Sequence, residues 1–503
     1  VGERLDLKRS AISGARWSST TTVYTLALQF IQVAVLAHYL SPASFGLVGL
    51  VVVAVGFALA FADLGLTHAI VQRQDGDDGP IASLFWLVLT TGIVLSAVFY
   101  VMAPWLARFL LPSPTFVVSS GEGPSMSAPD LEVLLLRVAP LFIVSALGHI
   151  PASLHQRALR FRTLTLLESG IQTARSTVTI VCAVSGADAH AVVYGMLAGG
   201  MTRSVVMSVS VWSSWRPSLR VRRSDLTGYL AFGLYQMGER AVNFIAANVD
   251  YLIIGSFLGP AALGIYYAAY QLVILPIQRA SPVLTRVAFP VFSRAQDDNA
   301  VLREGYVWIA RLIGLVGFPA LVGLGVTAPI LVPLLLGPGW EASIPLVQLL
   351  IPVGLFKSLG SPLGSIFLAK GRADLGLKWN AVLAIVNASV FTAVASGGAP
   401  AVALAYVVTS ACALVAGQLL LKRLISLGVG HYLSALVKPL FTSSAMGIVV
   451  ALAQIGVTGS TIEPLHLMLF FVSLGGSIYF LLVARMDRDL IQQLRSWILG
   501  ANA

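Results

Sequence analysis

Apolar runs of roughly 20 residues, each long enough to cross the hydrocarbon core of a bilayer, follow one another along almost the whole chain. The spans fall near 18–39, 44–66, 82–111, 131–152, 163–185, 190–213, 228–257, 262–290, 307–336, 344–368, 379–397, 400–421, 433–456 and 464–484. No other feature constrains the fold as strongly. Inside a bilayer the backbone must satisfy its own hydrogen bonds, and runs of this length do so as helices. The expected class is therefore an all-α polytopic membrane protein with about fourteen transmembrane helices. With 57% apolar and 11% charged residues in 503, there is no room for a separate soluble domain. The longest polar interruption, "PSPTFVVSSGEGPSMSAPD" from Pro112 to Asp130, is too short for one.

Lysine and arginine sort by loop. They occur in the lead before span 1 (Arg4, Lys8, Arg9, Arg16) and after every even span, as in Arg157, Arg160 and Arg162, or Arg216, Arg220, Arg222 and Arg223. The loops after odd spans, "LSPAS", "GADAH", "LGPAA", "LGPGWEAS", "SGGAP", "TGSTIEP" and the Pro112–Asp130 segment, contain none; the one near-exception is Arg108, at the outer end of span 3. By the positive-inside rule this alternation predicts an even span count and both termini in the cytoplasm. It also accounts for the net charge of +10 without invoking nucleic acid. The opening residues read as a cytoplasmic amphipathic lead rather than a cleavable signal peptide, since no short apolar core precedes a small-residue cleavage site.

Two turns echo each other. "LSPASFGL" (Leu40–Leu47) joins spans 1 and 2, and "LGPAALGI" (Leu258–Ile265) joins spans 7 and 8. Six spans separate them, so both face one side, as two parallel six-helix repeats would place them. The expected organisation is a lead (1–17), a first pseudo-symmetric lobe (18–213), a basic linker (214–227), a second lobe (228–425), two extra C-terminal spans (432–485) and a cytoplasmic tail (486–503).

A charge inside a bilayer costs on the order of 3 kcal/mol even on lenient insertion scales, so each one calls for a reason. Arg175, Arg203, Glu239, Arg240 and Lys357 fall near mid-span; Arg137, Arg279, Arg286 and Arg311 fall nearer an edge, where a side chain can snorkel to the headgroups. Cations outnumber the acids Glu168, Glu239 and Asp250 that could neutralise them. A water-filled cavity with an anionic ligand as counter-charge is one explanation; ion pairs that lock helices together are the other. Gln236, Arg240, Asn243 and Asp250 share a helical face. Tyr267, Tyr270, Gln271 and Gln278 form a similar stripe, whose aromatic faces and amides suit sugar rings as well as helix packing.

Other chemistry is not expected. There is no G-x-x-x-x-G-K-[ST] nucleotide loop and no H-E-x-x-H. The seven histidines are scattered, and "GDDG" (Gly76–Gly79) reads as a solvated turn. Cys182 and Cys412 both lie in apolar runs and predict neither a disulfide nor a metal site.

Several stretches resemble one family. "LSPASFGLVGL" with "FADLGLTHAIVQRQD", "NVDYLIIGSFLGPAALGIYYAAYQLVILP" with "VAFPVFSRAQDD", and "LLLGPGWEASIPLVQLL" with "LAKGRADLGLKWN" are similar to the Wzx-type polysaccharide flippases. These form the exopolysaccharide and colanic-acid-exporter branch of the multidrug/oligosaccharidyl-lipid/polysaccharide exporter superfamily. The resemblance runs from about Leu7 to Lys422 and weakens over the last two spans. It implies a non-enzymatic, inner-membrane transporter with two six-helix lobes around a cationic cavity. It implies flipping of undecaprenyl-diphosphate-linked oligosaccharide units to the periplasmic leaflet, where a polysaccharide polymerase and co-polymerase would act. Arg175, Arg240, Arg279 and Lys357 are the expected anion contacts, with Arg203, Arg137, Gln236, Asn243, Tyr267, Tyr270 and Gln271 around the substrate. Asp63 and Asp250 belong to family-like motifs and, with Glu239, are expected to lock helices or couple an ion. No cofactor or metal is expected; whether Na⁺, H⁺ or voltage drives the cycle is left open. The alternatives are a cation-coupled multidrug exporter of the same superfamily, which would want a cavity of carboxylates, a membrane-embedded glycosyltransferase or polymerase, and a non-transporting scaffold.

Overall fold

The computed structural model describes residues 2–66, 70, 79–112, 127–158, 161–219, 221–222, 226, 230–294, 296–457 and 462–487, with side chains for most of them from Thr21 onward. "GDDG", most of the Pro112–Asp130 loop, the tail beyond Asp487 and the side chains of Gln278, Arg279 and Arg286 lie outside the described residues.

The secondary structure is helical throughout the described residues: α1 Gly2–Tyr39, α2 Pro42–Ala62, α3 Gly79–Leu110, α4 Ala128–Val138, α5 Leu141–Arg157, α6 Phe161–Val184, α7 His190–Val211, α8 Leu230–Arg294, α9 Asn299–Leu336, α10 Ser343–Gly360, α11 Leu363–Ala369, α12 Ala373–Val394, α13 Gly398–Ile425, α14 Val429–Val457 and α15 Pro464–Met486. Eleven stretches among the described residues are apolar and long enough to cross a membrane. Two of these, Gln236–Leu275 and Asp374–Ile425, are long enough for two crossings each. Gly259 (φ 85°) interrupts α8, and Gly398 (φ 83°) follows a short 3-10 turn between α12 and α13. Both backbones sit in the left-handed region that glycine enters without a Cβ penalty. Helix α6 is equally long but too polar to count as apolar. Allowing for these three, the count among the described residues is roughly consistent with the fourteen expected.

The helices gather into two compact units, Val1–Ala268 with Leu377–Val402, and Ala269–Gly376 with Ala403–Ala503. Their borders differ from the expected lobe limits at 213 and 228: the first half of α8 groups with the N-terminal helices. The repeated turns supply a physical reason. In the first unit a Cβ on Gly46 would overlap the Pro260 carbonyl oxygen, and a Cβ on Gly264 would overlap the Pro42 carbonyl oxygen. Gly46 and Gly264 hold equivalent places in the repeat, as do Pro42 and Pro260. The contact is thus reciprocal, each turn laying its glycine against the other's proline carbonyl, as a local two-fold axis requires. Ser41 caps α2, its side chain accepting from the Ser44 backbone N–H at 3.2 Å, with Pro42 in the first turn.

Small residues bring other helices equally close, as in membrane packing generally. Helix α7 presents Gly195 to Thr179 and Gly199 to the Arg175 stem on α6. In the second unit a Cβ on Gly354 of α10 would come within 2.8 Å of Val273 and 2.9 Å of Ile277 on α8.

Candidate functional site

The intramembrane charges separate into two groups. The first is paired. Arg203 on α7 meets Glu168 on α6 at 2.8 Å. Arg240 on α8 donates from Nη1 to Asp63 Oδ1 at 2.8 Å. Asp63 is 5% exposed and caps the end of α2, where the same oxygen also accepts from the Gly65 backbone N–H at 3.1 Å. The turn itself docks tightly, since a Cβ on Gly65 would lie 2.9 Å from Gly233 Cα. In the second unit, Arg311 on α9 donates to Asp487 at the end of α15, and Lys438 on α14 lies 3.6 Å from the same carboxylate. Arg311 therefore does not simply snorkel, as its place near a span end had predicted.

The second group has no carboxylate within ion-pair distance among the described residues. Its mid-span members are Arg175 in the first unit and Lys357 in the second; Arg137, nearer a span edge, has none either. Arg175 is half-buried. It belongs to a wholly polar face of α6 formed by Thr165, Glu168, Ser169, Gln172, Arg175, Ser176 and Thr179, at the three- and four-residue spacing of one helical side. Helix α7 covers part of that face: a Cβ on Gly199 would sit 3.0 Å from Arg175 Cβ and 3.3 Å from its Cδ. Helix α1 covers another part, with Ser176 donating to Gln32 Oε1 at 2.7 Å and Tyr24 bonded to Thr173 at 2.7 Å.

Lys357 lies in α10 between two phenols. Its Nζ donates to Tyr270 Oη at 2.7 Å and to Tyr406 Oη. The two rings are nearly parallel, 7° apart with centroids at 6.2 Å. The ammonium also sits 5.4 Å and 4.8 Å from those centroids, in cation–π range.

The remaining expected site residues scatter. On the Gln236–Asp250 stripe, Gln236 is half-buried against the Gly65 turn and Asn243 is exposed. Asp250 is buried at 1% exposure and accepts from Tyr266 Oη at 2.9 Å. The stripe is therefore not one continuous wetted surface, because the end nearest Gly259 is packed against its own helix. Glu239 is half-buried. Gln271 is half-buried, while Tyr267 and Tyr270 are buried at 7% and 4%. The Tyr267 ring fills the space above Gly49 and meets Phe45 and Tyr251 edge-on or tilted. Of the two readings left open for this stripe, these two rings follow helix packing, and the hydroxyl of Tyr270 accepts from a cation. Arg137 is exposed and donates to Tyr194 Oη at 3.2 Å.

Three features went unread in the sequence. Tyr406 looked like a lone aromatic in an apolar run. The polar face of α6 was visible at helical spacing. His149 on α5 has a buried Nε2 without a hydrogen-bond partner among the described residues. No cluster of three metal-ligating side chains occurs among the described residues, and both cysteines are free thiols.

Eleven long apolar stretches among the described residues, with charged side chains held inside them, define a multi-pass membrane protein. More particularly, the chain belongs to the polysaccharide biosynthesis protein family, which matches residues 35–345. It is 30% identical over 445 residues to the teichuronic acid biosynthesis protein TuaB of Bacillus subtilis (strain 168), covering 88% of this chain and 89% of that one. It is 30% identical over 376 residues to the lipopolysaccharide biosynthesis protein WzxC of Escherichia coli (strain K12), covering 75% and 73%. In fold it is similar to the inward-closed lipid II flippase MurJ, with a TM-score of 0.74 at 15% identity over 94% of this chain and 99% of that one. It is also similar to an inward-facing multidrug resistance transporter of the MATE family, with a TM-score of 0.62 at 15% identity over 82% and 98%. The protein is thus a multi-pass membrane protein of the polysaccharide biosynthesis family, with the fold that these two solved transporters share.

Proposed function

We propose that the protein carries undecaprenyl-diphosphate-linked oligosaccharide units from the cytoplasmic to the periplasmic leaflet of the inner membrane by alternating access, with both termini in the cytoplasm. One observation carries this reading. Arg203, Arg240 and Arg311 have carboxylates, whereas Arg175 and Lys357 have none among the described residues. A cation kept inside a bilayer without a counter-charge costs on the order of 3 kcal/mol, and an anionic cargo removes that cost while it is bound. Arg175 and Lys357 are the anion contacts in this reading. Arg203 and Arg240 hold helices together. The surplus of cations disfavours an organic-cation exporter.

Release of an anion from such contacts requires a driving force. Membrane voltage supplies about 2.3 kcal/mol per charge per 100 mV, and a coupled Na⁺ or H⁺ would add to it. No cofactor takes part, and a polymerase and co-polymerase are the partners that would consume the product.

The test is export in cells lacking their own copy. Arg175→Ala and Lys357→Ala should each lower surface polymer at least tenfold while the protein stays in the membrane at normal abundance. Wild-type export by both variants would refute the anion contacts.

A further inference from the structure

The surroundings of Lys357 go beyond the lack of a carboxylate. An ammonium has three N–H donors and no acceptor. Two of them are spent on Tyr270 and Tyr406. Both phenols are neutral, so they fix the direction of the ammonium without cancelling its charge. A carboxylate in either place would do the opposite.

The phenols are themselves held. Tyr270 and Tyr406 are 4% and 3% exposed, and their rings stack at 6.2 Å. Gly354, one turn before Lys357, lets α10 approach α8 at Val273, one turn beyond Tyr270. A larger residue there would push Lys357 away from the phenol. The lysine stem thus emerges from a close helix contact directly beneath two locked hydroxyls. Lys357 itself is only half-buried.

We infer that Tyr406, together with Tyr270, is a positioning residue that aims the third N–H of Lys357 at a single anionic oxygen of the cargo. The inference rests on the anion reading above. It assigns a monodentate contact, where an arginine would make a forked one. A phosphoryl oxygen and the carboxylate of an acidic sugar share this chemistry.

A double-mutant cycle tests it in the full chain. Tyr406→Phe keeps the ring, the stack and the cation–π contact, and removes only the acceptor. Export should fall about fivefold, the equivalent of one net hydrogen bond, with unchanged abundance and unchanged thermal unfolding. In a Lys357→Ala background Tyr406→Phe should cost nothing further, because the two residues act as one. Tyr270→Phe, whose acceptor faces the same Nζ, should behave alike and serves if the first variant folds poorly. A purely structural tyrosine would cost the same in both backgrounds, and that additivity would overturn the inference, as would wild-type export by Tyr406→Phe. Normal export by Lys357→Ala would instead remove Lys357 from the anion contacts, and with Arg175→Ala also normal the anion reading itself.

Inorganic pyrophosphate and glucuronate, each tested for raising the unfolding temperature of the purified protein, distinguish the two sources. The probe whose effect is lost in Lys357→Ala and weakened in Tyr406→Phe identifies the oxygen that Lys357 meets. No effect of either probe on the wild type would overturn the contact.

Discussion

Asp63 shows how one carboxylate can hold several things at once. It ends α2, accepts the Gly65 N–H and takes the Arg240 guanidinium. Removing one partner of a buried ion pair leaves the other uncompensated, at a cost of about 3 kcal/mol. Asp63→Ala should therefore lower the unfolding temperature of the purified protein, and Asp63→Ala with Arg240→Ala should recover part of the loss. A double variant as unstable as the sum of the singles would show that the two side chains do not act as a pair. The sequence revealed the cations but not their division into paired and unpaired. Asp63 and Arg240 are 177 residues apart, and helical spacing orders residues only within one helix. Tyr406 was hidden for the same reason: its partner lies on another helix.

At the scale of elements, the repeated turn is where reading the sequence went furthest and still stopped short. Similar residues at similar offsets predicted two related halves. They did not predict that the turns would touch, nor that the shared glycines would each face the other copy's proline carbonyl. Close Cα–H···O approaches of this kind contribute about 0.5–1 kcal/mol each and tolerate no side chain. Gly46→Ala and Gly264→Ala should each impair the fold or the transport cycle. Gly238→Ala, where a Cβ meets nothing within 4 Å, is the control and should be mild. Equal stability and export for all three variants would mean that the contact is not needed. The polar face of α6 was fully present in the sequence. Its division between α1 and α7 was not, because glycines at 195 and 199 determine how near α7 can come.

For the whole molecule, apolar length and the alternation of basic loops were enough to predict the approximate number of crossings. The borders of the compact units were not legible, because packing between α2 and α8 crosses the boundary that the repeat had marked. The last helix ends in a similar dependence. Asp487, 3% exposed, receives Arg311 from α9 and lies near Lys438 of α14. Asp487→Ala should leave two cations without their carboxylate and lower the thermal stability by several degrees, measurable in detergent; Asp487→Glu should restore most of it. Anyone attaching a reporter enzyme to map which side of the membrane this end occupies should note where the junction falls. A fusion joined at Met486 would sever the link to two other helices and report on a damaged molecule, whereas one joined a few residues beyond Asp487 would report on the intact transporter.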